Sequence, residues 1–192
     1  MNLTTPRTVL DAHDVGLPRP LPEGPSQRPQ DPQDARLWDL AATVNDPEIP
    51  VLSLADLGVL RDACLQDDGR ATVVITPTYS GCPAMDTMAA DLHEVLTTAG
   101  YRDPQVLLVL RPAWTTDWMT PEGRAKLAAY GIAPPSGDRP RRTGPVGLTL
   151  AVKCPRCDSL RTKELTRFGS TSCKSLWSCQ DCLEPFDCFK VH

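Results

Sequence analysis

This 192-residue chain is short of most features that mark a membrane protein or a self-sufficient enzyme. Its longest aliphatic run is Val106–Leu110, whereas a membrane-spanning helix needs ~20 apolar residues. The N-terminus lacks the basic-then-apolar order of a secretory signal, so a cytoplasmic protein with no membrane partner is expected. Only three histidines occur, His13, His93 and His192, which excludes histidine-rich metal sites. No glutamate precedes a histidine by three residues, so the chain alone cannot build a bundle-type di-iron centre. The phosphate-cradling, dinucleotide, zincin and nucleophile-elbow motifs are absent. Aromatics make up 5% of residues, and the pI near 5.3 argues against nucleic acid as main partner.

Proline, by contrast, is abundant. Seven prolines fall in 1–33 with few large apolar residues, which predicts a disordered tail there, His13 included. Leu37, Leu40, Ala41 and Val44 keep helical spacing and predict a helix over 34–44 that ends before Pro47. A packed loop follows, with Ser53 as a candidate N-cap. Val59–Leu65 and Ala71–Thr76 read as a hairpin around Asp68-Gly69. Met85, Met88, Ala89, Leu92, Val95, Leu96 and Ala99 mark an amphipathic helix closed by Gly100, with His93 off the apolar stripe. Gln105–Arg111 reads as a buried strand, able to pair in parallel with the one before the helix. A short helix is expected from Pro121 to Tyr130. This order predicts a compact mixed α/β domain over 34–133, a linker over 134–148 and a small module over 149–192, an α+β protein as a whole. Residues 1–133 hold ten basic and eighteen acidic residues, and 134–192 hold ten basic and six acidic. That asymmetry suggests domain docking or an acidic partner.

The cysteines carry the chemistry. In a reducing compartment, eight of them point to metal or thiol chemistry rather than disulfides. Cys154-Pro-Arg-Cys157 and Cys179-Gln-Asp-Cys182 form two Cys-x2-Cys pairs 21 residues apart. Two such knuckles bring four thiolates within tetrahedral reach of one Zn²⁺, with iron–sulfur ligation as the alternative. A module with so few large apolar residues needs the ~10–16 kcal/mol that structural zinc supplies. Cys173 and Cys188 are extra thiols, either buried small residues or spare ligands, and His192 is expected to fray. Cys64 is expected in the core. Cys82 follows Ser80-Gly81 and precedes Pro83, which fits a helix N-terminus where amides and dipole favour a thiolate able to hold metal. Asp46, Glu48 and Asp56 would support that thiol if the 45–58 loop packs beside it.

Asp46-Pro-Glu-Ile-Pro50, Leu57-Gly58 and the Thr-x-Thr-x-x-x-Cys-Pro run of Thr76–Pro83 resemble the small domain of SufT-type iron–sulfur assembly proteins. Trp114-Thr-Thr-Asp-Trp118, Tyr130-Gly-Ile-Ala-Pro-Pro135, Phe168-Gly-Ser-Thr171, Cys173-Lys174, Glu184-Pro-Phe-Asp187 and Phe189-Lys190 extend the resemblance to the PaaD family of phenylacetic-acid degradation proteins. It covers about 34–192, with one departure, Cys188 standing where an aromatic is usual.

The resemblance implies a SufT-like domain followed by a zinc ribbon. It implies a non-catalytic accessory role in phenylacetate catabolism, maturing an iron–sulfur or di-iron centre of the phenylacetyl-CoA epoxidase system. It further implies Cys82 as functional thiol, transient iron or a cluster as cargo, and the epoxidase subunits, their reductase or the general iron–sulfur assembly machinery as partners. Two other classes compete. One is a thiol redox protein pairing Cys82 with Cys64 or Cys173, although neither forms Cys-x-x-Cys with it. The other is a nucleic-acid-binding zinc ribbon, but 149–192 hold seven basic against five acidic residues and four bound thiolates cancel that surplus.

Overall fold

The computed structural model describes residues 16–135 and 152–191, and the backbone of 9–11. They divide into two units. One runs to Trp114 and takes in Trp118–Thr120; the other holds Thr115–Asp117 and the chain from Pro121 onward. No helix among the described residues is long and apolar enough to cross a membrane.

The first unit is a four-stranded sheet flanked by helices. Helix α1 (Pro32–Ala41) starts at Asp31, whose carboxylate accepts the amides of Gln33 and Asp34, and it buries Leu37, Trp38 and Ala41. A short pair, β2 (Asn45–Asp46) with β3 (Ile49–Ser53), turns through Pro47-Glu48, where Asp46 Oδ1 accepts the amides of Glu48 (2.7 Å) and Ile49 (3.1 Å). One turn of helix, α2 (Leu54–Leu57), is held by a reciprocal cap between Ser53 and Asp56 and ends at Gly58 with φ +74°. Strands β4 (Leu60–Leu65) and β5 (Ala71–Ile75) form the expected hairpin. Helix α3 (Ala84–Thr98) crosses to β6 (Gln105–Leu108), which pairs in parallel with β5 through Val73–Val106 and Val74–Leu107. The sheet order is β1-β6-β5-β4, with β1 (Val9–Asp11) parallel to β6.

The tail does not meet the expectation of disorder over 1–33. Strand β1 extends the sheet, and Leu21 packs on Val74, Leu107 and Val109. Arg19 donates to Asp62 (Nε, 2.6 Å) and to Asp34 (Nη1, 2.8 Å). The prolines stiffen a strap that contributes one leucine and one guanidinium, which composition alone does not weigh. Residues 1–8 and 12–15, His13 among them, lie outside the described residues. Arg19→Ala strips two largely buried carboxylates of their cation; Arg19 itself is 41% exposed, so we expect a loss of about 1–3 kcal/mol. Denaturant titration checks this, and a change within a few tenths of a kcal/mol contradicts it.

Arg61 explains the tryptophan-bearing loop. It is only 2% exposed. Its guanidinium stacks 3.8 Å from the Trp118 ring and donates to Pro22 O at 2.6 Å. Trp114 Nε1 donates to Leu57 O at 3.0 Å, at the end of α2.

In the second unit, helix α4 (Pro121–Tyr130) leads into β7 (Ile132–Ala133). Arg124 ties its neighbourhood together by donating to Thr116 O and Pro135 O. Strands β8 (Thr162–Thr166), β9 (Lys174–Cys179) and β10 (Pro185–Phe189) form an antiparallel ribbon, and β7 adds in parallel to β10 through Ala133–Cys188. The division therefore does not fall at the 133/134 boundary expected from sequence. Ile132 and Ala133 are buried and give the ribbon a fourth strand, and Ala133 joins Cys154, Trp177, Cys179, Phe186 and Cys188 in its core. Of the expected linker 134–148, residues 136–148 lie outside the described residues, as does His192. Gly169 has no room for a side chain, since a Cβ there would come within 2.6 Å of Asp187 Oδ1.

Candidate functional site

Two side-chain constellations stand out, one in each unit. In the second unit the knuckles after β7 and between β9 and β10 bring Cys154, Cys157, Cys179 and Cys182 together, with all four sulfurs within 4.8 Å of one another. Cys154 and Cys182 Sγ are 3.8 Å apart, Cys157 and Cys179 Sγ 3.5 Å. A tetrahedral Zn²⁺ with ~2.3 Å bonds sets its sulfurs about 3.8 Å apart, so the spacing fits. The backbone fits as well. The amides of Cys182 and Asp181 donate to Cys179 Sγ and hold that thiol low, at about 6, while the amides of Ser159 and Glu184 donate to Cys157 and Cys182. Such bonds favour the deprotonated sulfur a metal needs. Asp181 accepts from Ser159 and, at 2.6 Å, from Arg161, which ties the knuckles together.

The extra thiols stay out of this tetrad. Cys173 is buried beside Thr171 Oγ1. Cys188 is buried in the ribbon core, and burial pushes its thiol up to about 11. In the first unit Cys64 lies inside β4, and burial raises it to about 11 as well.

Cys82 lies in the first unit, half-buried, between β5 and α3. Helix α3 begins at Ala84, and Pro83 is its capping residue, so Cys82 stands one position further out than the sequence suggested. Burial pushes its thiol above the ordinary range; Glu48 and Asp46 add to the rise. The amide of Ala84 and the hydroxyl of Tyr79, both bonded to Sγ, oppose it. This corrects the expectation of a lowered pKa. From this outer position the sulfur meets the Ala84 amide rather than those of Met85 or Asp86, and burial with two carboxylates outweighs the dipole.

The supporting acids divide. Asp46 and Glu48, on the turn between β2 and β3, act on Cys82, and α3 packs against β2. Asp56 does not join them. Its carboxylate caps α2 through the Ser53 amide and hydroxyl, and its carbonyl accepts Thr120 N–H at 2.9 Å. Ser53-x-x-Asp56 is a capping pattern, and that signal was in the sequence. Sequence reasoning missed two polar groups of this loop, Tyr79 and Thr76. Thr76 Oγ1, at the end of β5, is buried without a hydrogen-bond partner among the described residues.

Comparison with known proteins matches both units. Residues 35–108 fit the family described as iron–sulfur cluster assembly protein, and 138–190 fit the PaaD zinc beta ribbon domain. Over 159 residues the chain is 46% identical to an epoxidase-subunit protein of Escherichia coli K12 named "Putative 1,2-phenylacetyl-CoA epoxidase", covering 83% of this chain and 93% of that one. It is 36% identical over 86 residues to a Porphyromonas gingivalis protein named Fe-S protein maturation auxiliary factor, covering 44% of this chain and 81% of the relative. Among solved structures, a domain of unknown function (DUF59) from Bacillus anthracis matches 49% of this chain and 90% of its own, with 25% identity and a TM-score of 0.46.

Proposed function

The chain belongs to the PaaD family, and from that premise we propose that it matures a metallocentre of the phenylacetyl-CoA epoxidase system without catalysing the epoxidation. The centre served is the iron–sulfur cluster of the reductase or the di-iron site of the oxygenase, and the chain works in the cytoplasm beside the general iron–sulfur assembly machinery. The observation that carries this reading is the half-buried thiol of Cys82 with Glu48 and Asp46 close enough to act on it. A soft sulfur beside hard carboxylates suits iron passed on rather than kept. Iron or a cluster is cargo here, and the chain's own residues receive it, orient it and shield it in part from water.

The second unit has a separate task. Cys154, Cys157, Cys179 and Cys182 hold a structural Zn²⁺, four-coordinate and without an open position, which fixes the ribbon for docking on a client. The zinc supplies folding energy and no chemistry. Among the described residues no histidine stands beside Cys82 to make it a nucleophile–base pair, and the chain has no residues for a di-iron site of its own.

Cys82→Ser tests the reading. Serine nearly matches the size and can still accept the Ala84 amide, so stability should change by less than about 1 kcal/mol. Cells carrying the variant at equal abundance should lose epoxidase activity and client iron, while the ribbon keeps its zinc. Normal activity with normal client iron sinks the proposal.

A further inference from the structure

We propose that Tyr79 is a positioning residue for Cys82: its phenolic O–H, carried on the turn that Cys82 closes, donates to Sγ and aims the sulfur at incoming metal. The inference rests on the reading of Cys82 as the cargo thiol and says how that thiol is presented. The turn is local. Cys82 N–H donates back to Tyr79 O at 3.3 Å, and Gly81 between them has φ +90° with open space around it. Tyr79 is half-buried and follows buried Thr78, so one end of the turn is anchored in the domain while Ser80 and Gly81 are exposed.

The sulfur therefore receives two donors from opposite ends of its loop, the Ala84 amide from the start of α3 and the Tyr79 hydroxyl from the end of the turn. Two donors on a sulfur restrict where its remaining lone pair points. They also offset the negative charge of Glu48 and Asp46 when the sulfur binds metal as a thiolate and releases its one proton to water. A hydrogen-bonded partner beyond the metal's own ligands fixes ligand orientation, and its loss costs about 10–100-fold in metal affinity. Phenylalanine at 79 keeps the ring and removes only the donor.

The test uses the full chain with its ribbon tetrad loaded with zinc beforehand and Co²⁺ as the probe. Wild type should show a sulfur-to-cobalt charge-transfer band that Cys82→Ser lacks. In Tyr79→Phe the band should move to lower energy, because a thiolate without its donor is easier to oxidise. Co²⁺ should bind about tenfold more weakly, and the melting temperature should stay within a few degrees of wild type. A band and affinity unchanged in Tyr79→Phe overturn the inference and leave the role of Cys82 standing. Absence of any Cys82-dependent band in wild type removes the cargo-thiol reading and the inference together.

Discussion

Replacing Cys157 with Ser is expected to unfold the ribbon while the first unit stays folded. The ribbon core consists of Ala133, Cys154, Trp177, Cys179, Phe186 and Cys188. Two of those six are members of the sulfur tetrad, so losing the metal removes part of the core along with the bonds. The remaining alanine, tryptophan, phenylalanine and cysteine cannot offset the ordering entropy of four strands. Structural zinc in small modules supplies ~10–16 kcal/mol, as much as the whole stability of a typical domain. The first unit has its own core, with Leu37, Ile49, Leu52, Leu57, Ile75, Met88, Leu92 and Leu96 all at 1% exposure or less. It contains Trp38, Trp114 and Trp118, whereas the ribbon contains Trp177. Amide and indole NMR signals should therefore collapse for 152–191 alone, with zinc falling below stoichiometry. Stoichiometric zinc and an intact ribbon in the variant would refute the four-sulfur assignment. A strong chelator should act on wild type in the same direction.

The knuckle spacing made this unit legible. Two Cys-x2-Cys pairs allow few arrangements, and the chain brings the four sulfurs together. Periodicity did the same for α3, and Asp68-Gly69 for the β4–β5 hairpin. The failures have a common cause, which is that isolated charges act at long range. Arg61 and Asp62 sit inside an otherwise apolar strand, and nothing nearby in sequence announces that their partners are Trp118 and Arg19. An apolar strand with adjacent opposite charges was the available sign that another segment covers it. Ile132-Ala133 is too short for any period to appear, yet it belongs with the ribbon. At Cys82 the sequence showed a helix start. It could not show that burial and the turn between β2 and β3, which sets Glu48 and Asp46 against the sulfur, reverse the direction of its pKa shift. Asp56 was grouped with them by proximity along the chain, although its own capping pattern assigned it elsewhere.

Gly58→Ala should destabilise the first unit by about 3 kcal/mol or more, from two separate causes. Gly58 has φ +74°, a conformation that costs an ordinary residue about 1–2 kcal/mol. A Cβ would also stand 2.6 Å from Trp118 O and 2.8 Å from Trp118 Cβ. The first of these is backbone and cannot swing aside, so the 114–120 loop must lift as a whole. That loop is fastened at three places: Trp114 Nε1 on Leu57 O, Thr120 N–H on Asp56 O, and Trp118 on the Arg61 guanidinium. Lifting it uncovers Arg61, whose buried charge then loses its stacking partner. Gly58→Asn separates the causes, since asparagine tolerates the left-handed region but brings the same Cβ. If the close approach dominates, both variants lose similar stability in urea titration. If conformation alone matters, asparagine recovers most of the loss. A change below about 1 kcal/mol in Gly58→Ala means that the loop does not press on Gly58 in solution, and the explanation given for the Trp114–Trp118 segment fails with it.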